Sequence, residues 1–133
     1  MSAMHELKLF VLISWISLPT VMFGGYSLLA IGGKLTPQQY GLFRAGHAHA
    51  GVLLVLSLVY YHYLALTGIP LTLKYLACAG LTLGIILQSG GFFIHAFLDA
   101  GGTRNTGTRI TQTGAFLLVV SIAVLVYGLI AAY

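Results

Sequence analysis

Long apolar runs separated by short polar segments dominate the pattern of this chain. The runs cover about residues 7–31, 42–66, 71–98 and 110–132. Each is long enough to cross a bilayer as a helix, which takes about 20 residues, and none has the length or the alternation of a barrel strand. The pattern therefore predicts an all-α, integral membrane four-helix bundle in which residues 1–133 form a single membrane domain.

Glycine, proline and polar residues mark the boundaries between the predicted helices. The separating segments are "GGKLTPQQYG", "TGIP" and "DAGGTRNTGTR". The first run could instead be a secretory signal peptide, but Glu6 in its flank, its length and the lack of an early small-residue cleavage site favour a retained helix. Pro19 is expected to kink that helix.

Composition supports the membrane assignment. The chain is 59% hydrophobic and 6% charged, whereas about 25% of the residues in a soluble domain are charged, and its mean hydropathy is +0.97. The lipid bilayer is thus the expected partner, and the net charge of +4 is no indication of nucleic-acid binding.

The distribution of lysine and arginine predicts an orientation. The side that carries both termini has Lys8 and Lys74, and the other side, here called the loop side, has Lys34, Arg44, Arg104 and Arg109. Under the positive-inside rule the termini lie outside the cytoplasm. We expect a plasma membrane of the prokaryotic type.

Small residues within the apolar runs predict close helix packing, which glycine permits in membranes. We expect this role for Gly80, Gly84, Gly90, Gly91 and Gly114. The single cysteine, Cys78, cannot form an internal disulfide and is expected to pack as a small apolar residue. Such small-residue faces are also compatible with a homo-oligomer or with membership of a larger membrane complex.

All five histidines sort by depth into two layers. His47 and His49, near the start of the second helix, share the loop-side layer with His95, near the end of the third. His62 lies at the other face, at about the depth of His5. On a regular helix His47 and His62 point within about 60° of each other and lie about 22 Å apart, whereas His47 and His49 diverge by about 160°.

The segment around His47 favours a flat cofactor. "RAGHAHAG" is nearly all small, so a b-type haem could lie against it with His47 and His95 as axial ligands, His49 in support and Arg44 paired with a propionate. A second haem could use His62 and His5 on the side of the termini. Such a protein would transfer electrons, with a redox partner or a quinone as its reaction partner.

Two other interpretations stay open for the same residues. Copper or zinc could bind His47, His49 and His95, with Asp99, Thr111 and Gln112 in supporting positions. Alternatively, His62 and His5 could be plain interfacial residues, since amphipathic side chains collect at membrane surfaces. Buried ionisable groups such as His47 and His95 are more often functional.

The stretch "FRAGHAHAGVLLVLSLVYYHYL", residues 43–64, resembles the histidine-bearing helices of the haem-copper oxidase subunit I superfamily and of small four-helix membrane proteins similar to part of it. The resemblance implies that His47 or His49 is a haem ligand. This chain departs from that superfamily, because it has far fewer helices and no second histidine-rich helix for a copper centre. Reduction of oxygen or nitric oxide is therefore not implied.

Two classes of function follow from the sequence. The first is a membrane-embedded haem- or metal-binding protein that transfers electrons. The second is non-enzymatic: a carrier of a metal or small molecule, or an accessory subunit. No Ser-His-acid or Cys-His grouping occurs at matching depth, so the sequence gives no support for nucleophilic hydrolysis.

Overall fold

A computed structural model describes residues 3–98 and 104–132 of the chain. The helices are α1 (Ala3–Glu6), α2 (Lys8–Ile31), α3 (Pro37–Leu66), α4 (Leu71–Phe97) and α5 (Thr106–Ile130), and a 3-10 turn, Gly32–Lys34, follows α2. The described residues contain no strand. The four long helices are each long and apolar enough to cross a membrane, which confirms the all-α membrane four-helix bundle.

Two helices begin earlier than the apolar pattern indicated, because their first turns are polar. The helix expected from residue 42 begins at Pro37, and Thr36 caps it by accepting from the backbone N–H of Gln39 while the Gln39 side chain accepts from Thr36. The helix expected from residue 110 begins at Thr106 behind an Asn105 cap. A capping box satisfies two backbone donors that no helical carbonyl can reach.

The α4–α5 pair is the most closely packed part of the bundle. A Cβ added at Gly91 would meet the backbone N of Thr111 at 2.6 Å, and one added at Gly107 would meet the backbone of His95. At Gly114 an added Cβ would meet the backbone of Gln88. Glycine is required at these positions because the two backbones touch, as expected where packing drives association of membrane helices.

The predicted packing role of glycine differs between positions on α4. Gly80, Gly84 and Gly91 lie against α5, where an added Cβ would clash with Ser121, Leu118 and Thr111 respectively. Gly90 faces open space, because no atom of another part of the described structure lies within 4 Å of an added Cβ. Among the described residues, the expected packing role of Gly90 is therefore wrong.

The apolar core lies in the half of the bundle nearer the termini. It is built mainly from buried side chains of α3 and α4, such as Tyr61, Leu64 and Cys78, to which Leu7 before α2 and Leu118 of α5 are added. In this half α2 is linked to α3 by a hydrogen bond of 2.7 Å between the buried hydroxyls of Ser14 and Ser57. On the loop side the space between α2, α3 and α4, beside His47, is less filled, and the candidate site lies there.

Candidate functional site

His47 projects from α3 toward α2. A Cβ added at Gly25 of α2 would lie 2.9 Å from Nε2 of His47, and one added at Gly24 would lie 3.6 Å from Nδ1. The imidazole therefore rests on a surface of α2 that has no side chains. Within the described part of the chain, His47 makes no hydrogen bond with another residue.

A cavity of about 370 Å³ lies beside this imidazole, between α2, α3 and α4. Its wall includes Gly24 and Leu28 from α2, Phe43 and His47 from α3, and Phe93 from α4. The volume falls in the range of about 300–1,000 Å³ that is usual for small-molecule sites. The other polar side chains of the wall are the hydroxyls of Thr20 and Ser27, and the Ser27 hydroxyl donates to the Phe23 carbonyl within α2. A mostly apolar wall with an imidazole suits an apolar molecule whose orientation is fixed by a polar contact.

The sequence of α2 explains why the space beside His47 is open. The cavity wall begins at Thr20, directly after Pro19, and continues past the two glycines at 24 and 25. Pro19 has no N–H to donate to the carbonyl one turn earlier, which weakens the helix there. Glycine then removes side-chain volume where α2 passes His47, so a space remains that larger residues would fill.

His49 points to a different neighbour. Its Nδ1 lies 2.8 Å from the carbonyl oxygen of Ala45, and its ring is tilted against Phe92 of α4 with 5.0 Å between centroids. The backbone carbonyl can only accept, so Nδ1 donates this hydrogen bond. The divergence of His47 and His49 along α3, predicted from helical spacing, thus places the two rings against α2 and α4.

His95 lies in the α4–α5 contact. Its Nδ1 is 3.2 Å from the Thr108 hydroxyl, its carbonyl accepts from the Asn105 side chain at 3.3 Å, and its Nε2 is buried without a partner in the described structure. Phe92, about one turn before His95 on α4, lies close to Gly46 of α3, where an added Cβ would be 3.1 Å from the Phe92 Cβ. His95 is therefore near the depth of His47, but its imidazole is held by α5, whereas that of His47 faces α2.

The remaining predicted ligands lie on the surface. His62 is exposed with its ring against Tyr63 at 5.5 Å, and His5 is exposed before α2. Arg44 is exposed, with its guanidinium carbon 5.7 Å from the centre of the Tyr40 ring. These positions suit residues at the two membrane surfaces.

The predicted supporting residues occupy the loop-side end of α5 or fall outside the described chain. Thr111 donates from its hydroxyl to the Gln88 carbonyl at 3.5 Å, and Gln112 is exposed. Asp99 lies outside the described residues. Neither Thr111 nor Gln112 is among the residues that line the cavity beside His47.

No group of three or more His, Cys, Asp or Glu side chains that could hold a metal ion occurs within residues 3–98 and 104–132. Of the three loop-side histidines, His47 faces α2, His49 faces α4 and His95 faces α5. The structure therefore places His47 beside Gly24, Gly25 and Phe93, whereas the His95 imidazole contacts Thr108 of α5.

Sequence reasoning missed the α2 side of this site. The cavity is lined on this side by Thr20, Val21, Gly24 and Ser27. The hydropathy pattern identifies these residues only as part of the first apolar run. A usable signal was present, since two adjacent glycines inside a membrane helix remove volume from one level of the bilayer. Their pairing with His47 depends on how α2 rotates against α3, which the sequence does not specify.

Comparisons with known proteins add no assignment. No family model matches the chain, and no curated protein or solved structure is significantly similar to it.

Proposed function

We propose that this membrane protein binds a small apolar molecule within the bilayer, in the cavity between α2, α3 and α4, with His47 as its polar contact. The observation that carries the proposal is the His47 imidazole, which has no partner in the described structure and borders a 370 Å³ apolar cavity. An ionisable group inside a membrane span is costly, so an unpaired one is a functional candidate.

The chemistry of the wall defines the class of molecule. Phe43 and Phe93 supply aromatic surface, Leu28 and Val21 supply aliphatic surface, and His47 supplies one nitrogen that donates and one that accepts or coordinates. A ligand that fits this wall is largely apolar and carries one group that an imidazole can hydrogen-bond or ligate. A binding protein or carrier meets this description without any reaction of its own.

Haem b is one candidate for the apolar molecule, in which His47 would bind the iron rather than form a hydrogen bond. His47 could supply one axial ligand from the cavity wall, and small residues of α2 could face the ring. The second ligand expected from the sequence, His95, contacts Thr108 of α5, so a bis-histidine haem between α3 and α4 would require that imidazole to move. Electron transfer, and the alternative binding of copper or zinc, stay predictions that the described geometry does not favour.

The test is to identify what copurifies with the protein. Wild type, His47→Ala and His62→Ala are purified in mild detergent, and each is analysed by absorption spectroscopy before and after dithionite, by mass spectrometry of an organic extract and by elemental analysis. His62→Ala is the matched control because His62 lies on the same helix and is exposed. The proposal expects a stoichiometric apolar molecule in wild type and control that is lost from His47→Ala.

The outcomes separate the versions of the proposal. A Soret band that is lost in His47→Ala supports the haem version, and a colourless extractable molecule that is lost in the same variant supports a carrier or binding protein. Equal retention by all three proteins, or no copurifying molecule together with no stoichiometric metal, would overturn the proposal.

A further inference from the structure

The loop side of the molecule carries four cations that the structure leaves exposed: Lys34, Arg44, Arg104 and Arg109. The chain has only two carboxylates. Glu6 precedes α2 at the opposite face, and Asp99 lies outside the described residues. Four cations against at most one carboxylate make this face strongly positive, so its partner is expected to be an anion.

Two of these cations, Lys34 and Arg44, lie next to residues that line a second cavity, which meets the one beside His47 at Leu28. It has a volume of about 410 Å³ and lies where α2 ends, the 3-10 turn follows and α3 begins. Gly33 and Leu35 line it on either side of Lys34 along the chain. Tyr40 also lines it, and the Arg44 guanidinium lies over the Tyr40 ring one turn further along α3.

The wall of this cavity has two chemical characters. Leu28, Leu29, Leu35 and Pro37 form an apolar part, and Gly33, next to Lys34, and Tyr40, under the Arg44 guanidinium, complete the wall with Gly32. Gly32 leaves room for the Tyr40 ring, because an added Cβ would lie 2.9 Å from its Cε2. The cavity thus offers an apolar floor with a positive rim.

We propose that this cavity, with Lys34 and Arg44 at its rim, binds the headgroup of an anionic membrane phospholipid. A phosphate would meet the two cations, while the glycerol backbone and the first methylenes of the acyl chains would cover the leucines. Free inorganic phosphate could pair with Lys34 and Arg44, but it would leave the leucine side chains of the cavity exposed to water. The lipid is therefore the favoured source of the anion, and it is already present at this depth of the membrane.

Native mass spectrometry of the full-length protein released from detergent tests this assignment. Phosphatidylglycerol and phosphatidylcholine are titrated against wild type, the double variant Lys34→Gln/Arg44→Gln and the control Arg109→Gln. Arg109 is a matched control because it is also exposed on the loop side, but it belongs to α5 and does not flank the cavity. Circular dichroism checks that each variant keeps the helical content of wild type.

The expected result is a tightly bound phosphatidylglycerol on wild type and on Arg109→Gln, with weaker binding of phosphatidylcholine. Each basic residue at a membrane surface changes the affinity for an acidic lipid by about fivefold, so the double variant should bind phosphatidylglycerol about 25-fold more weakly. Arg44→Gln alone should also bind phosphatidylglycerol more weakly than wild type. Arg44→Lys, which keeps the charge, should retain most of the affinity that Arg44→Gln loses.

Three results would overturn the proposal. Equal losses in Arg109→Gln and in the double variant would show diffuse attraction rather than a site. Equal affinity for phosphatidylcholine would show that the anion is not recognised. Displacement of the lipid by millimolar inorganic phosphate or glycerol phosphate would show that the site selects a free phosphate.

Discussion

Lys74 donates a hydrogen bond from Nζ to the carbonyl oxygen of Ala65 over 3.1 Å, although both residues are buried. Ala65 belongs to the last turn of α3, where carbonyl groups have no partner within the helix. The ammonium group also lies at the negative end of the α3 dipole. Lys74 therefore joins the start of α4 to the end of α3, a role beyond that of the loop cation used to predict orientation.

Replacing Lys74 by Met should destabilise the bundle by about 1–3 kcal/mol, because the variant keeps the length of the side chain but leaves the Ala65 carbonyl without its charged donor. Thermal unfolding followed by circular dichroism in detergent measures the effect. Lys8→Met is the control, since Lys8 is an exposed cation near the same membrane surface. If both variants unfold at the wild-type temperature, the buried hydrogen bond makes no net contribution.

The α4–α5 contact should tolerate no added methyl group at Gly114. Its Cβ would meet the backbone of Gln88 and would lie 2.8 Å from the Gly84 carbonyl oxygen. Backbone atoms cannot rotate away as a side chain can, so Gly114→Ala should separate the helices at a cost of about 1–3 kcal/mol.

Gly90→Ala supplies the matched control for that prediction, because Gly90 faces open space on α4. It should be neutral, or stabilising by about 0.5–1 kcal/mol, since alanine loses less conformational entropy than glycine in a helix. Thermal unfolding of both variants in the same detergent measures the difference. Similar unfolding temperatures for the two would contradict the close approach of α4 and α5.

Gly25→Ala should alter ligand binding more than stability. Its Cβ would lie 2.9 Å from Nε2 of His47, but that atom is at the end of a side chain that can rotate. The imidazole is therefore expected to turn away from its position beside the cavity while the helices stay in place. Gly24→Ala makes only an ordinary contact of 3.6 Å with Nδ1 of His47 and is the control.

The measurement for this pair is the amount of copurifying ligand per protein together with the unfolding temperature. We expect Gly25→Ala to retain less ligand than Gly24→Ala at a similar unfolding temperature. Equal retention by the two variants would mean that the position of the imidazole against α2 does not matter for binding.

Most of the fold could be predicted from hydropathy because a bilayer imposes one length on every spanning helix. Lys8–Ile31 and Leu71–Phe97 agree closely with the apolar runs. The starts of α3 and α5 could not be found from hydropathy, since Thr36 and Asn105 cap polar turns that extend the helices. The motif around Thr36, with Pro37 next and Gln39 third, carried that information in its capping pattern.

The candidate site was harder to predict than the fold because it depends on rotation about the helix axes. Depth along the helix predicted that His47, His49 and His95 share a layer, and Phe92, one turn before His95, lies beside Gly46, the neighbour of His47. Helical spacing predicted that His47 and His49 diverge, and their rings lie against α2 and α4. Neither quantity says which neighbouring helix each face meets. The structure shows that Gly24 and Gly25 face His47, and that Thr108 and Gly107 meet His95.

Ser14 and Ser57 provide the last test, since their hydrogen bond of 2.7 Å joins α2 to α3 about two helical turns beyond Ala50 of the cavity wall. Double-mutant cycles in membrane helices average about 0.6 kcal/mol for such contacts. The Ser14→Ala, Ser57→Ala and double variants should therefore show a coupling of about that size. Because the Ser57 hydroxyl also contacts the Leu54 carbonyl at 2.7 Å, Ser57→Ala alone should cost more than Ser14→Ala. A coupling near zero would mean that α2 is held by apolar packing alone, and the cavity wall that α2 forms would then be free to shift without breaking a polar contact.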